Sequence, residues 1–263
     1  MSGALNRRVT EGGGEPRPLS NPAGSARAAG RSAQSPPGTG PWRYDLHVHS
    51  TASPDGLVRP AGIVRAAARA GLGGVALTDH NSTDGVREAE EEARGIEGFL
   101  VVPGIEVSSS GGHIIGLGVR EGIEEGLTVE ETVEAILSAG GLPVAAHPFR
   151  SFTGIGEAAV RSARFEAVEV LNGRSPGRKN LRSLRLCVEL GLGASAGSDC
   201  HRPHELGRCF VALECDPGGV DGLLESIRRG RARPSGRSAS FLEVAAAASK
   251  IGGDWLRRGG RRI

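Results

Sequence analysis

From Trp42 onward the chain alternates short apolar runs with helix-like segments, and this alternation restricts the fold more than any other feature. The runs RYDLHVH, GGVALT, FLVVPG, HIIGLGV, LPVAAH, EAVEVL, GASAGS and RCFVAL have the length and residue types of strands. Between them lie helical stretches with start and stop signals. RPAGIVRAAARAG has Pro60 in its first turn and Gly71 just past its end. LTVEETVEAILSAGG offers Thr128 and Glu131 as a reciprocal cap, with Gly140 as terminator. GRKNLRSLRLCVELG and GVDGLLESIRRG stop the same way, at Gly191 and Gly230. Such alternation predicts parallel strands joined by crossover helices. Seven or so units of this kind suit a barrel-like closure better than a small open sheet.

The chemistry-bearing side chains fall at the ends of these runs. His47 and His49 close the first strand and, two positions apart on an extended chain, share a face. Both imidazoles can therefore aim at one point, although a solvated strand face could carry the same pair. The other histidines decide between the two. His80 ends the second strand, Glu106 follows the third, His147 ends LPVAAH, and Asp199 and His201 follow GASAG. In parallel α/β barrels the carboxyl ends of the strands share the face that carries the active site. His113 begins a run instead of ending one. A hairpin turning on Ser109 and Ser110 in EVSSSGGH would set it opposite Glu106. Six of the seven histidines thus fall at one mouth, joined by Asp55, Glu106 and Asp199, and His204 alone looks like a surface stray. Mixed imidazole and carboxylate donors are a ligand set for a divalent metal.

Composition excludes several other functions. With 32 basic and 30 acidic residues the net charge is +2, so no global field points to nucleic acid or membrane. Six Phe, two Trp and one Tyr offer little for base stacking. Cys187, Cys200, Cys209 and Cys215 lack Cys-x-x-Cys spacing, which argues against a zinc ribbon or redox pair, and Cys200 reads as buried packing. GLGASAG precedes a strand instead of opening a helix, so it is not a dinucleotide loop. No apolar run reaches the length of a membrane span, and the N-terminal stretch lacks the apolar core of a secretory signal. A cytoplasmic protein with no obligate protein partner is expected. Residues 1–41, rich in Gly, Pro, Ser, Ala and Arg, are expected to form a disordered tail. One folded domain is expected over 42–235. Residues 236–263 would add a helix at FLEVAAAASKIGGDWL and a basic tail, packed on the barrel or partly disordered.

The segments DLHVHSTASPDG, ALTDHNS, GIEVSS…GGHIIGLG, VAAHPFR and AGSDCH together resemble the motifs of the polymerase and histidinol phosphatase (PHP) family. They occur in that family's order from Tyr44 to Leu213. The resemblance implies an α/β fold, a distorted (β/α)7 barrel with a trinuclear metal site at the C-terminal face of its strands. Two to three divalent ions of manganese, zinc or iron are implied as cofactors. His47, His49, Glu106 and Asp199 would hold one metal, and Asp55, His80 and His201 a second. His113 and His147 would hold a third, with Glu106 bridging back to the first. Many family members have histidine where Asp55 stands here, and the aspartate favours a harder metal such as manganese or iron. Some carry an insertion between the glutamate and the next histidine, for which the seven-residue step from Glu106 to His113 leaves no place. The small metal-dependent phosphoesterases are the most similar branch. They imply a phosphorylated small molecule, or a nucleotide or oligonucleotide 5′ end, as substrate.

Clustered metals of this kind acidify bound water and neutralise charge on phosphate oxygens. The expected mechanism is in-line attack on phosphorus by a metal-bridging hydroxide, without a protein nucleophile. Arg150, three residues after His147, is a candidate phosphate anchor, because guanidinium binds phosphate bidentately. Arg174 in VLNGRSPGRKN is a second, with a solvated loop arginine as the alternative. Asp79, beside His80, would either orient an imidazole from behind or cap the following helix. Two rival readings remain. An amidohydrolase-type barrel would need a lysine late on a middle strand, and Lys179 and Lys250 end no strand. A non-catalytic nucleic-acid-binding or scaffolding module should have lost ligands, and the set is complete.

Overall fold

The helix stops fall where the sequence places them and each of the eight runs carries a strand, with two further strands at Gly104–Ser109 and Arg233–Gly236. The computed structural model describes residues 42–240 and Glu243, so the expectations for 1–41 and for a helix beyond Ser240 lie outside the described residues. The first half runs β1 (Arg43–Val48), α1 (Pro60–Arg69), β2 (Gly74–Leu77), α2 (Gly85–Ala93), β3 (Leu100–Val102), β4 (Gly104–Ser109) and β5 (Gly112–Leu117). The second half runs α3 (Val129–Ser138), β6 (Leu142–Ala145), α4 (Gly156–Ser162), β7 (Ala167–Asn172), α5 (Gly177–Leu190) and β8 (Gly193–Gly197). A short 3-10 turn (Pro203–Glu205), β9 (Cys209–Ala212), α6 (Val220–Arg228) and β10 (Arg233–Gly236) follow. Gly71, Gly140, Gly191 and Gly230 take φ of 73°, 76°, 65° and 65°, the left-handed conformation that ends a helix. At α3 the Thr128 hydroxyl accepts the Glu131 N–H at 3.2 Å, and Glu131 accepts the Thr128 N–H at 2.9 Å.

The strands form two five-stranded sheets, ordered β10-β9-β1-β2-β3 and β4-β5-β6-β7-β8. The closed seven-stranded barrel expected from the alternation is therefore not seen. Pairing is parallel from β1 to β2 to β3 and from β6 to β7 to β8. It is antiparallel around β5 and β9. Pro103, which has no N–H to donate, separates β3 from β4. β3 stays with β2 while β4 turns to β5. The two sheets meet through single bridges, His80 to Glu106 and Val48 to Cys200, next to the residues of interest.

The β4–β5 hairpin turns at Ser110 and Gly111, one residue later than expected, so Glu106 pairs with Ile115 and His113 with Ser108. A shift of two in the pairing keeps each side chain on its face. His113 thus remains a diagonal neighbour of Glu106. Because β5 runs antiparallel, its amino end lies at the carboxyl ends of the parallel strands, which explains a histidine that begins its run. Leu46, Ala76, Ile115, Val144, Val211 and Leu223 fill one buried cluster with Tyr44, and further clusters lie under α1–α2 and under α3–α5.

Candidate metal centre

β1 delivers His47 and His49 to a common point, where their Nε2 atoms lie 3.1 Å apart. Glu106 on β4 faces them from the other sheet. Its Oε2 lies 3.3 Å from His47 Nε2, 3.2 Å from His49 Nε2 and 3.3 Å from His80 Nδ1. Its Oε1 lies 3.0 Å from both His113 Nδ1 and His147 Nε2. One buried carboxylate thus divides its two oxygens between two sets of imidazoles, an arrangement that suits a ligand bridging two cations.

Asp55 and His201 complete the other flank. His201 Nε2 lies 2.7 Å from Asp55 Oδ2, and His80 Nε2 lies 3.6 Å from the same oxygen. Ser53 fixes this corner, donating to Asp55 Oδ1 at 2.9 Å and accepting the His80 N–H at 3.1 Å. Asp199 Oδ1 lies 3.6 Å from His49 Nε2 and 3.9 Å from His47 Nε2. His147 (φ 29°) and Asp199 (φ 56°) hold left-handed backbone that non-glycine residues seldom adopt. Strain of this kind persists where surrounding structure enforces it, characteristically at functional sites. Donor atoms lie within 4.8 Å of one another in four overlapping groups: His49, Asp55, His80 and His201; His47, His49 and Asp199; His80, Glu106 and His113; His47, His147 and Glu169. All nine residues singled out from the sequence as ligands are brought together, and His204 stands apart on the exposed 3-10 turn.

The electrostatics suit a cation. Burial, with His201 and His80 nearby, drives His49 down to about 3 against the pull of Glu106, and burial with Arg150 drives His147 down to about 4. Both are held neutral, the form that ligates metal. Burial also opposes charge on His47 and His80, but the carboxylates outweigh it. Glu169, Glu106 and Asp199 hold His47 well above its ordinary value, and Glu106 with Asp55 raises His80 to about 9. Burial opposes ionisation of Glu106 and Asp199 too, yet the facing imidazoles, and Arg150 at Asp199, hold both well below the carboxylate range. The cluster draws positive charge inward. Nδ1 of His80, 3.3 Å from Glu106 Oε2, is buried with no hydrogen-bond partner among the described residues. An unpartnered imidazole nitrogen beside an ionised carboxylate fits a divalent cation.

Both arginines reach this site. Arg150 pairs with Asp199 Oδ2 and donates to Asn172 Oδ1 at 2.6 Å. Arg174 lies 2.8 Å from His201 Nδ1 and 3.7 Å from Asp199 Oδ1, which places it at the mouth and not on a solvated loop. Asp79 behaves differently from both expectations. Its carboxylate accepts the Ser50 N–H at 2.6 Å and the Ser50 hydroxyl at 2.7 Å, anchoring the chain just after His49. It meets no imidazole, and α2 has no side-chain cap. Cys200 is buried and turns its thiol to the Arg202 carbonyl at 3.0 Å, away from the centre.

Three functional positions escaped the sequence reading. Glu169 accepts from His47 Nδ1 at 2.9 Å and from the His147 N–H at 2.8 Å. Asn172 links Glu169, Asp199 and Arg150. Asp45, buried and raised to about 6 by burial, accepts the Ser198 N–H at 2.8 Å and the Gly207 N–H at 2.9 Å. It ties the segment bearing Asp199 and His201 to β1. The signal for Glu169 was a lone charge inside the apolar run AVEVL.

Comparison with known proteins identifies the family and the fold. The PHP domain model matches residues 45–172, and the model described as PHP-associated matches residues 177–232. An uncharacterized protein of Methanocaldococcus jannaschii is 39% identical over 119 residues, 41% of this chain and 68% of that one. A 5′-3′ exoribonuclease of Haemophilus influenzae is 42% identical over 79 residues, and the match spans 28% of this chain and only 28% of the exoribonuclease. A two-domain protein of Bacteroides vulgatus containing a predicted PHP-like metal-dependent phosphoesterase superposes with a TM-score of 0.62 at 20% identity. That superposition covers 74% of this chain and 65% of the other, a likeness of fold.

Proposed function

This chain belongs to the PHP domain family, and from that premise we propose that it is a divalent-metal-dependent phosphoesterase. Its substrate is a phosphorylated small molecule or the 5′ end of a nucleotide or oligonucleotide. The observation that carries this reading is Glu106, whose two oxygens serve separate imidazole sets directly beside two arginines that meet at Asp199.

Two to three ions of manganese, iron or zinc would be held by His47, His49, Glu106 and Asp199, by Asp55, His80 and His201, and by His113 and His147. When bound, such ions acidify water and neutralise charge on phosphate oxygens. The chain's own residues do the rest. Arg150 and Arg174 bind the nonbridging oxygens of the phosphate and orient the ester for in-line attack. Asp199 and Asn172 hold Arg150 in reach of the centre before substrate arrives. Glu169 receives the Nδ1 proton of His47, which turns the Nε2 lone pair toward the centre. Water oxygen bonds to phosphorus and gives up one proton, the phosphorus–oxygen ester bond breaks, and the leaving alkoxide takes up that proton. An amidohydrolase reading would need a lysine in the cluster, whereas Lys179 donates to Ser151 on the surface at 2.8 Å.

The test is incubation of manganese-loaded protein with a 5′-phosphorylated RNA oligomer and with small phosphomonoesters, against chelator-treated protein. Stepwise release of mononucleotides assigns a 5′ exonuclease, and release of inorganic phosphate alone assigns a phosphomonoesterase. Metal-loaded protein that cleaves neither overturns the reading.

A further inference from the structure

Glu169 and Asn172 lie three apart on β7, and on a regular strand residues three apart face opposite ways. Here they share one face, and the reason is in the pairing with β8. Glu169 pairs with Ser195 while Leu171 pairs with Ala196, so two residues of β7 advance against one of β8. This is a bulge, and it reverses the alternation between Glu169 and Asn172. Val168 and Val170 face the helices, as alternation requires, and Asn172 would have followed them without the bulge. Instead it is fully buried among charged groups.

The Asn172 amide is used at both ends. Its Nδ2 donates to Glu169 Oε1 at 3.0 Å, Glu169 Oε2 at 3.1 Å and Asp199 Oδ2 at 3.2 Å. Its Oδ1 accepts from Arg150 at 2.6 Å and from the Arg174 N–H at 3.0 Å. Only donors surround the oxygen and only acceptors the nitrogen, which fixes the orientation of the amide. The backbone of Asn172 is held separately by Asn180, at 3.2 Å to its N–H and 3.0 Å to its carbonyl. One neutral side chain therefore stands between the carboxylates that face the proposed metal ligands and the arginines proposed to bind phosphate.

We propose that Asn172 is a positioning residue that couples the two halves of the site: its amide nitrogen orients Glu169 and Asp199 toward the metals, and its oxygen presents the Arg150 guanidinium to the substrate phosphate while holding the backbone of Arg174. This rests on the phosphoesterase reading above. The bulge in β7 is the structural device that makes the coupling possible. An amide is the side chain the position requires, because a carboxylate would oppose Glu169 and Asp199 and an apolar group would leave the arginines unguided.

Two substitutions separate the two ends. Asn172→Ala removes donor and acceptor together, and in manganese-loaded protein it is expected to weaken competitive inhibition by inorganic phosphate about tenfold and raise KM similarly, with kcat changed less. Bound manganese per chain, measured by elemental analysis, should fall below wild type as well. Asn172→Asp keeps the acceptor and the volume but turns an oxygen toward Glu169 and Asp199, and it is expected to lose at least one bound manganese per chain. Should Asn172→Ala not fold, Asn172→Asp decides alone. Phosphate inhibition within twofold of wild type in Asn172→Ala, or full manganese content in Asn172→Asp, overturns the coupling. Wild-type protein that neither turns over phosphoesters nor binds inorganic phosphate overturns instead the functional reading beneath it.

Discussion

At the scale of single residues, the centre depends on groups that touch no substrate. Glu169 is buried and takes the Nδ1 proton of His47 and the backbone N–H of His147. Glu169→Gln preserves the shape but weakens the pull on His47, and loss of such an outer carboxylate costs roughly 10- to 100-fold in metal affinity. Chelator competition with manganese measures this, and an affinity unchanged from wild type would show that Glu169 does not orient His47. The thiols give a second test. Burial raises Cys187 to about 11 and Cys209 to about 12, and Cys200 higher still, whereas Cys215 is exposed. Reaction with a thiol reagent in native protein should be fast at Cys215 alone and complete at all four only after unfolding. The clustering of the proposed ligands was legible because six histidines ended or began apolar runs, a placement chance does not favour. Glu169 and Asn172 were not. A glutamate in AVEVL reads as the polar side of a half-buried strand, and the direction of Asn172 depends on a bulge that only the partner strand reveals.

At the scale of elements, local signals survived intact and pairing did not. The Thr128–Glu131 cap at α3 formed as the spacing required, because it involves four consecutive residues and no distant partner. Thr128→Ala should cost about 1 kcal/mol of stability, read from denaturant midpoints. The cap also has a pH signature. Hydrogen bonds from the Thr128 N–H and hydroxyl hold the Glu131 carboxyl below its ordinary value. Its contribution is therefore present at neutral pH and lost as pH falls below the usual glutamate range, and the gap between wild type and Thr128→Ala should narrow on acidification. A gap independent of pH would show that the Thr128 hydroxyl does not hold the Glu131 carboxylate. The closure of the sheets carried no such local mark. Apolar period reports that a segment is extended, and it does not say whether β3 or β4 lies beside β2. Pro103 and the antiparallel β5 settled that. Gly197 shows the same limit from the other side. A Cβ there would lie 2.3 Å from His47 Cβ, so this glycine is required by a strand 150 positions away in sequence.

At the scale of the whole molecule, the two sheets are joined at the place where the ligands gather. The His80–Glu106 and Val48–Cys200 bridges carry strand pairing from one sheet to the other beside the ligands, and a third, Pro176–Ala239, lies beyond the end of β10. The nine proposed ligands come from β1, β4, β5 and the segments after β1, β2, β6 and β8, so bound cations would fasten both sheets together. Without them, several ionised groups and buried imidazoles share a site that burial penalises, since desolvated charge is costly unless compensated. Metal binding should consequently be felt by the entire fold. A ligand at a thousandfold excess over its Kd adds about 4 kcal/mol to stability. For a folded body of this size each kcal/mol moves Tm by about 2–4 °C. Calorimetry of chelator-treated protein should therefore show a Tm rise of roughly 8–16 °C on adding manganese at that excess, by the same arithmetic. The rise should shrink in Glu106→Gln, where the carboxylate common to both imidazole sets has lost its charge. A Tm indifferent to manganese in the wild-type chain would mean that the cluster binds no cation strongly enough to join the sheets, and the metal centre would have to be abandoned.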